Sequence, residues 1–232
     1  MDLLGKSWGL TRNIPSPNIY VKMLPEYAGW IFLEDEAVRN KGSWAQVFPN
    51  KEQPLDLEIG CGNGFFFGHQ IKTVPHRNLL GIELKYKPLV QTVRRARAGN
   101  FGNGRGLRYH ARYIDRIFAE SELDNIFIYF PDPWPRRKQN KNRLVRRDFL
   151  NQLSLLQKPS GFIDFKTDSE DYFNFVESEL KETSNYQVVR YSRDLHRSEW
   201  ASENFMTSFE KIFVKKGQPI FYARLINKKK EL

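Results

Sequence analysis

Three glycines at alternate positions follow a short apolar segment near residue 60. Gly60, Gly62 and Gly64 remove side chains from this stretch, so the backbone can adopt positive φ and pass close to a ligand. The spacing is G-x-G-x-G, which differs from the G-x-G-x-x-G fingerprint of dinucleotide-binding proteins. The tighter spacing favours a small nucleoside that carries an amino-acid arm, and the cofactor of that description is S-adenosylmethionine.

Two acids accompany the glycines. Glu83 closes a second apolar segment 19 residues after Gly64 (83 − 64), close to the spacing of about 20 expected of a carboxylate that binds a ribose hydroxyl. Glu58 directly precedes the glycines and either faces the ammonium group of the cofactor or points to solvent. The alternative is a glycine-rich turn followed by an unrelated surface glutamate.

A second candidate site is the proline-rich segment at residues 130–135. Three prolines within five residues fix φ and remove three N–H donors, and each residue before a proline is pushed towards extended geometry. This predicts a stiff extended loop that presents one carboxylate, Asp132, and one large ring, Trp134. A proline-rich turn with a packing tryptophan is the simpler alternative.

The chain is strongly basic, with 37 Lys and Arg against 27 Asp and Glu and a net charge of +10. Residues 136–147 hold seven basic side chains and no acid, and residues 94–116 hold seven with Asp115 as their only acid. Such runs often form solvated faces. Here they flank the same predicted cleft, so we expect them to contact a phosphate backbone.

These sites need a scaffold, and the apolar pattern predicts an alternation of strands and helices. Strands are predicted at residues 54–59, 78–83, 107–111, 125–130, 161–166, 186–191 and 219–225, and helices at 65–71, 86–98, 149–156 and 172–180. A polar loop is predicted at 192–217. The alternation favours an α/β fold with a doubly wound, mostly parallel sheet. Both candidate sites then lie at carboxyl ends of strands, where ligands bind in such sheets.

Residues 1–50 lack a clean period and contain four prolines, which predicts an irregular N-terminal arm with one short helix over residues 30–38.

The chain has one cysteine, Cys61, so an intramolecular disulfide is excluded, and we expect Cys61 to be a packing residue. The four histidines show no metal-ligand spacing, so no metal is predicted. No apolar run approaches the ~20 residues of a membrane span, and the first residues lack a signal-peptide pattern. We therefore expect a cytoplasmic protein.

The chain resembles bacterial tRNA (guanine-N7-)-methyltransferases of the TrmB type. The similarity covers roughly residues 44–225 and is carried by residues 57–64, 81–83, 130–135 with the basic run, 165–168 and 207–210. It implies a Rossmann-like fold of the class I methyltransferase type for residues 51–232. It also implies transfer of a methyl group from S-adenosylmethionine to N7 of a guanosine in the tRNA variable loop. The expected protein is a monomer or homodimer without an obligate protein partner.

The resemblance also assigns residues. Cofactor binding would involve Glu58, Gly60, Gly62, Gly64, Glu83, His110 and Asp132, with His110 standing where the family has Asn or Asp. Asp132 would be the catalytic residue. Substrate contacts would come from Arg136, Asp168, Thr207, Ser208, Phe209 and Glu210, where Arg136 replaces the usual Lys and Ser208 a frequent Lys or Glu.

The methyl transfer needs few catalytic side chains. Guanine N7 carries a lone pair and no proton, so it can attack the sulfonium methyl without a general base. Holding the reacting atoms in line can contribute ~7–11 kcal/mol. Asp132 would stabilise the positive charge that develops on the guanine ring. Asp168 and Glu210 would select guanine by accepting from N1–H and the amino group; capping of the following helix is an alternative role for Asp168.

Three other functions compete with this prediction. A methyltransferase of the same fold could act on an exocyclic amine, but such enzymes use a D/N-P-P-Y/F loop and this chain has Asp-Pro-Trp. A basic RNA-binding protein with this fold could lack activity, although the intact Glu58, Glu83 and Asp132 argue against it. A nicotinamide oxidoreductase would need the fingerprint spacing that is absent here.

Overall fold

A computed structural model describes residues 19–230, so residues 1–18 of the predicted arm and the last two residues lie outside the described part. Within residues 19–230 there are eight strands, β1 Ile31–Phe32, β2 Leu55–Ile59, β3 Asn78–Ile82, β4 Gly104–Leu107, β5 Ile126–Tyr129, β6 Phe162–Thr167, β7 Tyr186–Ser192 and β8 Phe221–Asn227. The α-helices of the same region are α1 Ile19–Lys22, α2 Glu34–Arg39, α3 Phe65–Thr73, α4 Tyr86–Ala98, α5 Arg147–Leu156, α6 Glu170–Lys181 and α7 Ser208–Lys215. None of these helices combines the length and apolar character needed to cross a membrane.

The strands form one sheet in the order β1-β4-β3-β2-β5-β6-β8-β7. All neighbours are parallel except that β8 runs antiparallel to both β6 and β7. This confirms the predicted doubly wound, mostly parallel α/β fold. The chain builds outward from β2 through β3 to β4, then returns to β5 on the other side of β2. The order therefore reverses between β2 and β5, and a ligand crevice is expected at their carboxyl ends.

Helices cover both faces of this sheet. On one face, α3 and α4 place Phe67, Leu89 and Val93 in one buried cluster. On the other face, α5 and α6 contribute Leu150 and Phe173 to a larger cluster. Burial on both faces explains why the central strand β5 is apolar along its whole length.

The third central strand differs from its prediction at residues 107–111. The observed β4 ends at Leu107, and a 3₁₀-helix begins at Ala111. Strand propensity does not predict β4 because two of its four residues are Gly104 and Gly106, and glycine is depleted in strands. A Cβ at Gly106 would lie 2.5 Å from Cγ2 of Val93, so the glycine is required by the close approach of α4.

The helix predicted over residues 30–38 is wrong at its start. Ile31 and Phe32 instead form β1, which pairs in parallel with β4 and lies at one edge of the sheet. The helix begins at Glu34, and Leu33 is its cap residue. The backbone N–H of Leu33 donates to Glu36 Oε2 over 3.0 Å. An edge strand of two residues has no period that a sequence pattern could reveal.

The rest of the described N-terminal segment packs on the same core. Trp44 is fully buried, and its indole N–H donates to the carbonyl of Ile117 over 2.6 Å. It shares a hydrophobic cluster with Leu57 of β2. The core therefore continues across residue 50, the position at which the sequence predicts the end of an irregular N-terminal arm.

Candidate active site

The glycine loop follows β2 directly and leads into α3. Gly60, Gly62 and Gly64 have φ of 81°, 52° and 74°, values that L side chains rarely adopt. A Cβ at Gly64 would lie 2.7 Å from the Cα of Thr92 on α4. The Thr92 hydroxyl also donates to the carbonyl of Gly62 over 2.8 Å. The loop is therefore a tight turn attached to α4, with open space where side chains at Gly60 would stand.

Glu58 lies at the end of β2 with 4% of its surface exposed. Its Oε2 has no hydrogen-bond partner among the residues that the structure describes. Burial raises the pKa of Glu58 to about 8; nearby Glu83 acts in the same direction and Lys166 opposes it. A buried carboxylate oxygen without a partner beside a crevice requires an explanation. A ligand that donates a hydrogen bond or carries a positive charge would supply that partner.

Glu83 directly follows β3, the parallel neighbour of β2, so it lies at the same carboxyl edge of the sheet as Glu58. Its backbone N–H donates to the carbonyl of Leu107 over 3.0 Å, and its Oε1 accepts from the N–H of Lys85 over 2.9 Å. The side chain is half-buried. These three features fit a nucleoside cofactor that carries an ammonium group: the positive-φ loop, the unpartnered Glu58 oxygen and the second acid, Glu83. S-adenosylmethionine is such a cofactor.

His110 occupies a helix cap. Its Nδ1 accepts from the backbone N–H of Arg112 over 3.2 Å at the start of the 3₁₀-helix Ala111–Arg116. Asn and Asp are common in that role, and in this chain the histidine fills it. Burial and the charge of Arg112 lower the pKa of His110. Within residues 19–230, no group of three His, Cys, Asp or Glu side chains suits a metal ion.

The proline-rich loop begins after β5, across the switch point from the glycine loop. Phe130 and Trp134 have φ of 53° and 46°, an uncommon conformation for bulky residues. Both precede a proline, so the extended geometry predicted for these two positions is wrong. Asp132 lies between them and is exposed. The backbone N–H of Phe130 donates to the carbonyl of Lys166 on β6 over 2.8 Å. This geometry presents one carboxylate on a constrained backbone at the carboxyl end of β5.

Asp168 follows β6, the next strand along from Asp132. It is half-buried, and burial raises its pKa. The cap of α6 is Ser169, whose hydroxyl accepts from the N–H of Tyr172 over 3.2 Å. The alternative in which Asp168 caps this helix is therefore wrong, and its carboxylate is not needed there.

The start of α7 lies against the Asp132 loop. Thr207 caps the helix by accepting from the N–H of Glu210 over 3.0 Å. Ser208 and Phe209 are exposed, and the Phe209 ring centre lies 5.3 Å from that of Phe130. The sequence predicts only a polar loop over residues 192–217. The Thr-x-x-Glu capping box, a standard helix-start signal, could have revealed α7.

Glu210 is wholly buried, in contrast to its neighbours on α7. Its Oε2 accepts from Lys166 Nζ over 3.0 Å, and its Oε1 accepts from the Asn204 amide over 2.7 Å. A carboxylate in this position cannot reach a base without losing these partners. We therefore assign Glu210 to an internal network with Lys166 instead of to the predicted guanine contact.

The two basic runs divide between surface and interior. Arg136 is exposed beside Asp132, as are many of the other cations. Three arginines of the runs are instead buried, namely Arg105, Arg108 and Arg143. These three cannot neutralise phosphates. Net charge and spacing do not distinguish such residues from the surface set.

The fold and site define a class I S-adenosylmethionine-dependent methyltransferase. A solved structure with a similar fold is TrmN from Thermus thermophilus, at a TM-score of 0.54 and 19% identity over 76% of this chain and 45% of that one. A family model described as "Putative methyltransferase" matches residues 52–223.

Two curated relatives define the family more closely. The tRNA (guanine-N(7)-)-methyltransferase of Bdellovibrio bacteriovorus is 47% identical over 202 residues, which cover 86% of this chain and 96% of that protein. The protein of the same description from Brevibacillus brevis is 31% identical over 210 residues, covering 90% and 94%. This chain belongs to the tRNA (guanine-N(7)-)-methyltransferase family.

Proposed function

We propose that this chain transfers the methyl group of S-adenosylmethionine to N7 of a guanosine in the variable loop of tRNA, with Asp132 at the reacting atoms. The observation that carries this proposal is the position of Asp132. It is an exposed carboxylate on a constrained loop at the carboxyl end of β5, next to the glycine loop that follows β2. Family membership supports the same reaction.

The cofactor would be held by Glu58, Glu83 and the glycine loop. S-adenosylmethionine supplies an electrophilic methyl group on a sulfonium when it is bound. The unpartnered Oε2 of Glu58 would accept a hydrogen bond from the cofactor. Glu83 would accept from a ribose hydroxyl. The absence of side chains at the three glycines lets the backbone lie against the nucleoside.

Asp132 would act by charge and not as a base. Guanine N7 has no proton to remove, so the site needs alignment and electrostatic stabilisation. The prolines on either side restrain the backbone that carries Asp132, and its carboxylate would stabilise the positive charge that develops on the guanine imidazole ring. A fixed negative group needs little reorganisation when that charge appears.

Asp168 and α7 would select and hold the base. The half-buried Asp168 carboxylate can accept from guanine N1–H and the amino group together, a pattern that adenine lacks. The exposed ring of Phe209 offers a surface on which a base can stack. Thr207 and Ser208 would contribute polar contacts beside it, and Arg136 would contact phosphate.

The test is an assay of the purified protein with unmodified tRNA and methyl-labelled S-adenosylmethionine, followed by digestion and identification of the labelled nucleoside. N7-methylguanosine, lost in Asp132→Ala, is the expected result. A different methylated nucleoside would overturn the substrate assignment and retain the cofactor. Binding of tRNA without transfer would favour a non-catalytic RNA-binding protein.

A tRNA substrate also leads us to propose the cytoplasm as the site of action. The predicted monomer or homodimer, and independence from an obligate protein partner, follow from the family resemblance and stay predictions. Sedimentation of the purified protein, alone and with tRNA, measures the oligomeric state directly.

A further inference from the structure

Arg143 belongs by sequence to the basic run after the proline-rich loop, but it does not face solvent. Its side chain is 0% exposed. Its guanidinium carbon lies 5.1 Å from the ring centre of Tyr172 and 4.9 Å from that of Phe175, both on α6. A cation enclosed in this way cannot reach an RNA phosphate, so its charge serves another purpose.

The hydrogen bonds of Arg143 point to that purpose. Its Nε donates to the carbonyl of Pro133 over 2.8 Å. Its Nη2 donates to the Asp171 carboxylate, and its Nη1 donates to the Asp171 carbonyl over 3.4 Å. One planar group therefore bridges the loop after β5 and the first turn of α6.

We propose that Arg143 is a positioning residue that fixes the Asp132 carboxylate relative to Asp168. Pro133 directly follows Asp132, so a bond to its carbonyl restrains the loop at the peptide between Pro133 and Trp134, one residue after the catalytic group. Asp171 lies three residues after Asp168. Arg143 thus sets the separation of the loops that hold the two carboxylates of the site. The inference rests on the proposed function for its catalytic consequence.

The loop needs this external support because its prolines lack N–H donors. A segment with three prolines in five residues forms few backbone hydrogen bonds of its own. The planar fork of arginine can donate in several fixed directions at once, which an ammonium group on a flexible stem cannot do. Replacement by lysine would keep the charge and lose the bridge.

The test compares Arg143→Lys with Asp171→Ala, which removes one partner of the guanidinium. The Asp171 side chain is 73% exposed, but its loss leaves the buried guanidinium of Arg143 without its carboxylate. Unfolding in urea is therefore measured for each variant, and kcat is compared only among variants that are folded under the assay conditions. The matched control is Arg105→Lys. Arg105 is another buried arginine that donates to backbone carbonyls, those of Gly102 and Gly104, each over 2.8 Å.

Two readouts separate positioning from other roles. The first is kcat and KM for tRNA. The second is the ¹⁹F spectrum of protein labelled with 5-fluorotryptophan, in which Trp134 reports on the loop. The Trp134 and Trp44 resonances are assigned with Trp134→Phe and Trp44→Phe, and the buried Trp44 serves as internal control.

We expect Arg143→Lys to lower kcat by about 10- to 100-fold, because a displacement of about 1 Å can cost that much. KM for tRNA should change little, and the Trp134 resonance should move while that of Trp44 stays. Asp171→Ala should change kcat and Trp134 in the same direction by less. Arg105→Lys should change neither.

An unchanged kcat with a raised KM for tRNA would overturn the proposal and make Arg143 an RNA contact. A lower kcat without a change at Trp134 would also overturn it. If the wild-type protein forms no methylated nucleoside but Trp134 still responds to Arg143→Lys, the proposed function fails and the contact with the loop is supported.

Discussion

Lys166 on β6 and Glu210 on α7 form an ion pair with 3.0 Å between Nζ and Oε2, and their side chains are only 2% and 0% exposed. Lys166 Nζ also donates to the carbonyl of Phe205 over 3.2 Å and lies 4.0 Å from the ring centre of Tyr129. Burial lowers the pKa of Lys166, and the Glu210 carboxylate opposes that shift. The pair connects α7 to the centre of the sheet.

Removal of one partner should therefore destabilise the fold. Glu210→Ala leaves a buried ammonium without its carboxylate, and we expect a loss of about 3–5 kcal/mol in the free energy of unfolding, measured with urea. The double variant Lys166→Met/Glu210→Leu should recover much of that loss. Unchanged stability with weaker tRNA binding would instead place Glu210 at the substrate.

Asp132→Asn should keep the shape of the loop and remove its charge. We expect kcat to fall by about 10²–10³-fold, the range found when one electrostatic contact to a transition state is lost. The matched control is Asp148→Asn, an acid on α5 that is 71% exposed. Equal rates for Asp132→Asn and wild type would remove the electrostatic role.

Glu58 should couple cofactor binding to proton release. Burial raises the pKa of Glu58 from the usual 4.5 to about 8. At a pH between these two values, Glu58 is therefore protonated in the native state and ionised in the unfolded state. Stability should fall as pH rises through that window. A cofactor that donates to Glu58 favours the ionised form, so affinity should rise towards pH 8.

The measurement is calorimetric titration with S-adenosylmethionine in two buffers of different ionisation enthalpy at about pH 7, where the buffer dependence gives the protons released. We expect release with wild-type protein, and weaker binding without release for Glu58→Gln. Binding without proton exchange in the wild type would show that the cofactor leaves Glu58 protonated.

Phe209→Ala should weaken substrate binding and leave the cofactor unaffected. Base–aromatic stacking contributes about 1–3 kcal/mol per base, which corresponds to a rise of several-fold or more in KM for tRNA. Leu155→Ala is the control, since Leu155 is an exposed apolar residue on α5. A rise in KM for S-adenosylmethionine instead would move Phe209 to the cofactor pocket.

Trp44→Ala should show whether the N-terminal segment is part of the core. Loss of a fully buried tryptophan with its hydrogen bond to Ile117 is expected to lower the free energy of unfolding by about 3–5 kcal/mol. A separate arm would instead tolerate the change with little effect on the main unfolding transition.

The sequence predicts the central strands and the glycine loop well because their signals are local. Gly60, Gly62 and Gly64 mark a turn with positive φ, and apolar runs mark buried strands. His110 also has a local role, since it fills the cap of a 3₁₀-helix. Contacts far apart in sequence leave no such signal: Gly106 is set by the approach of Val93 on α4.

Charge is the property that the sequence locates least well. Arg143 and Lys166 count as basic residues in the composition, yet each is buried against partners that the fold brings from a distance. Asp171 lies 28 residues from Arg143 and Glu210 lies 44 residues from Lys166. Only the packed structure shows which cations face an RNA and which hold the protein together.

The unusual backbone at Phe130 and Trp134 has a consequence for the evolution of heat resistance. Each left-handed residue of this kind carries a cost of about 1–3 kcal/mol, which the surrounding contacts must offset. The fold gives up part of its stability margin permanently to keep Asp132 in place. Variants selected only for survival at high temperature should therefore gain changes in this loop early, and they should methylate more slowly than the parent chain.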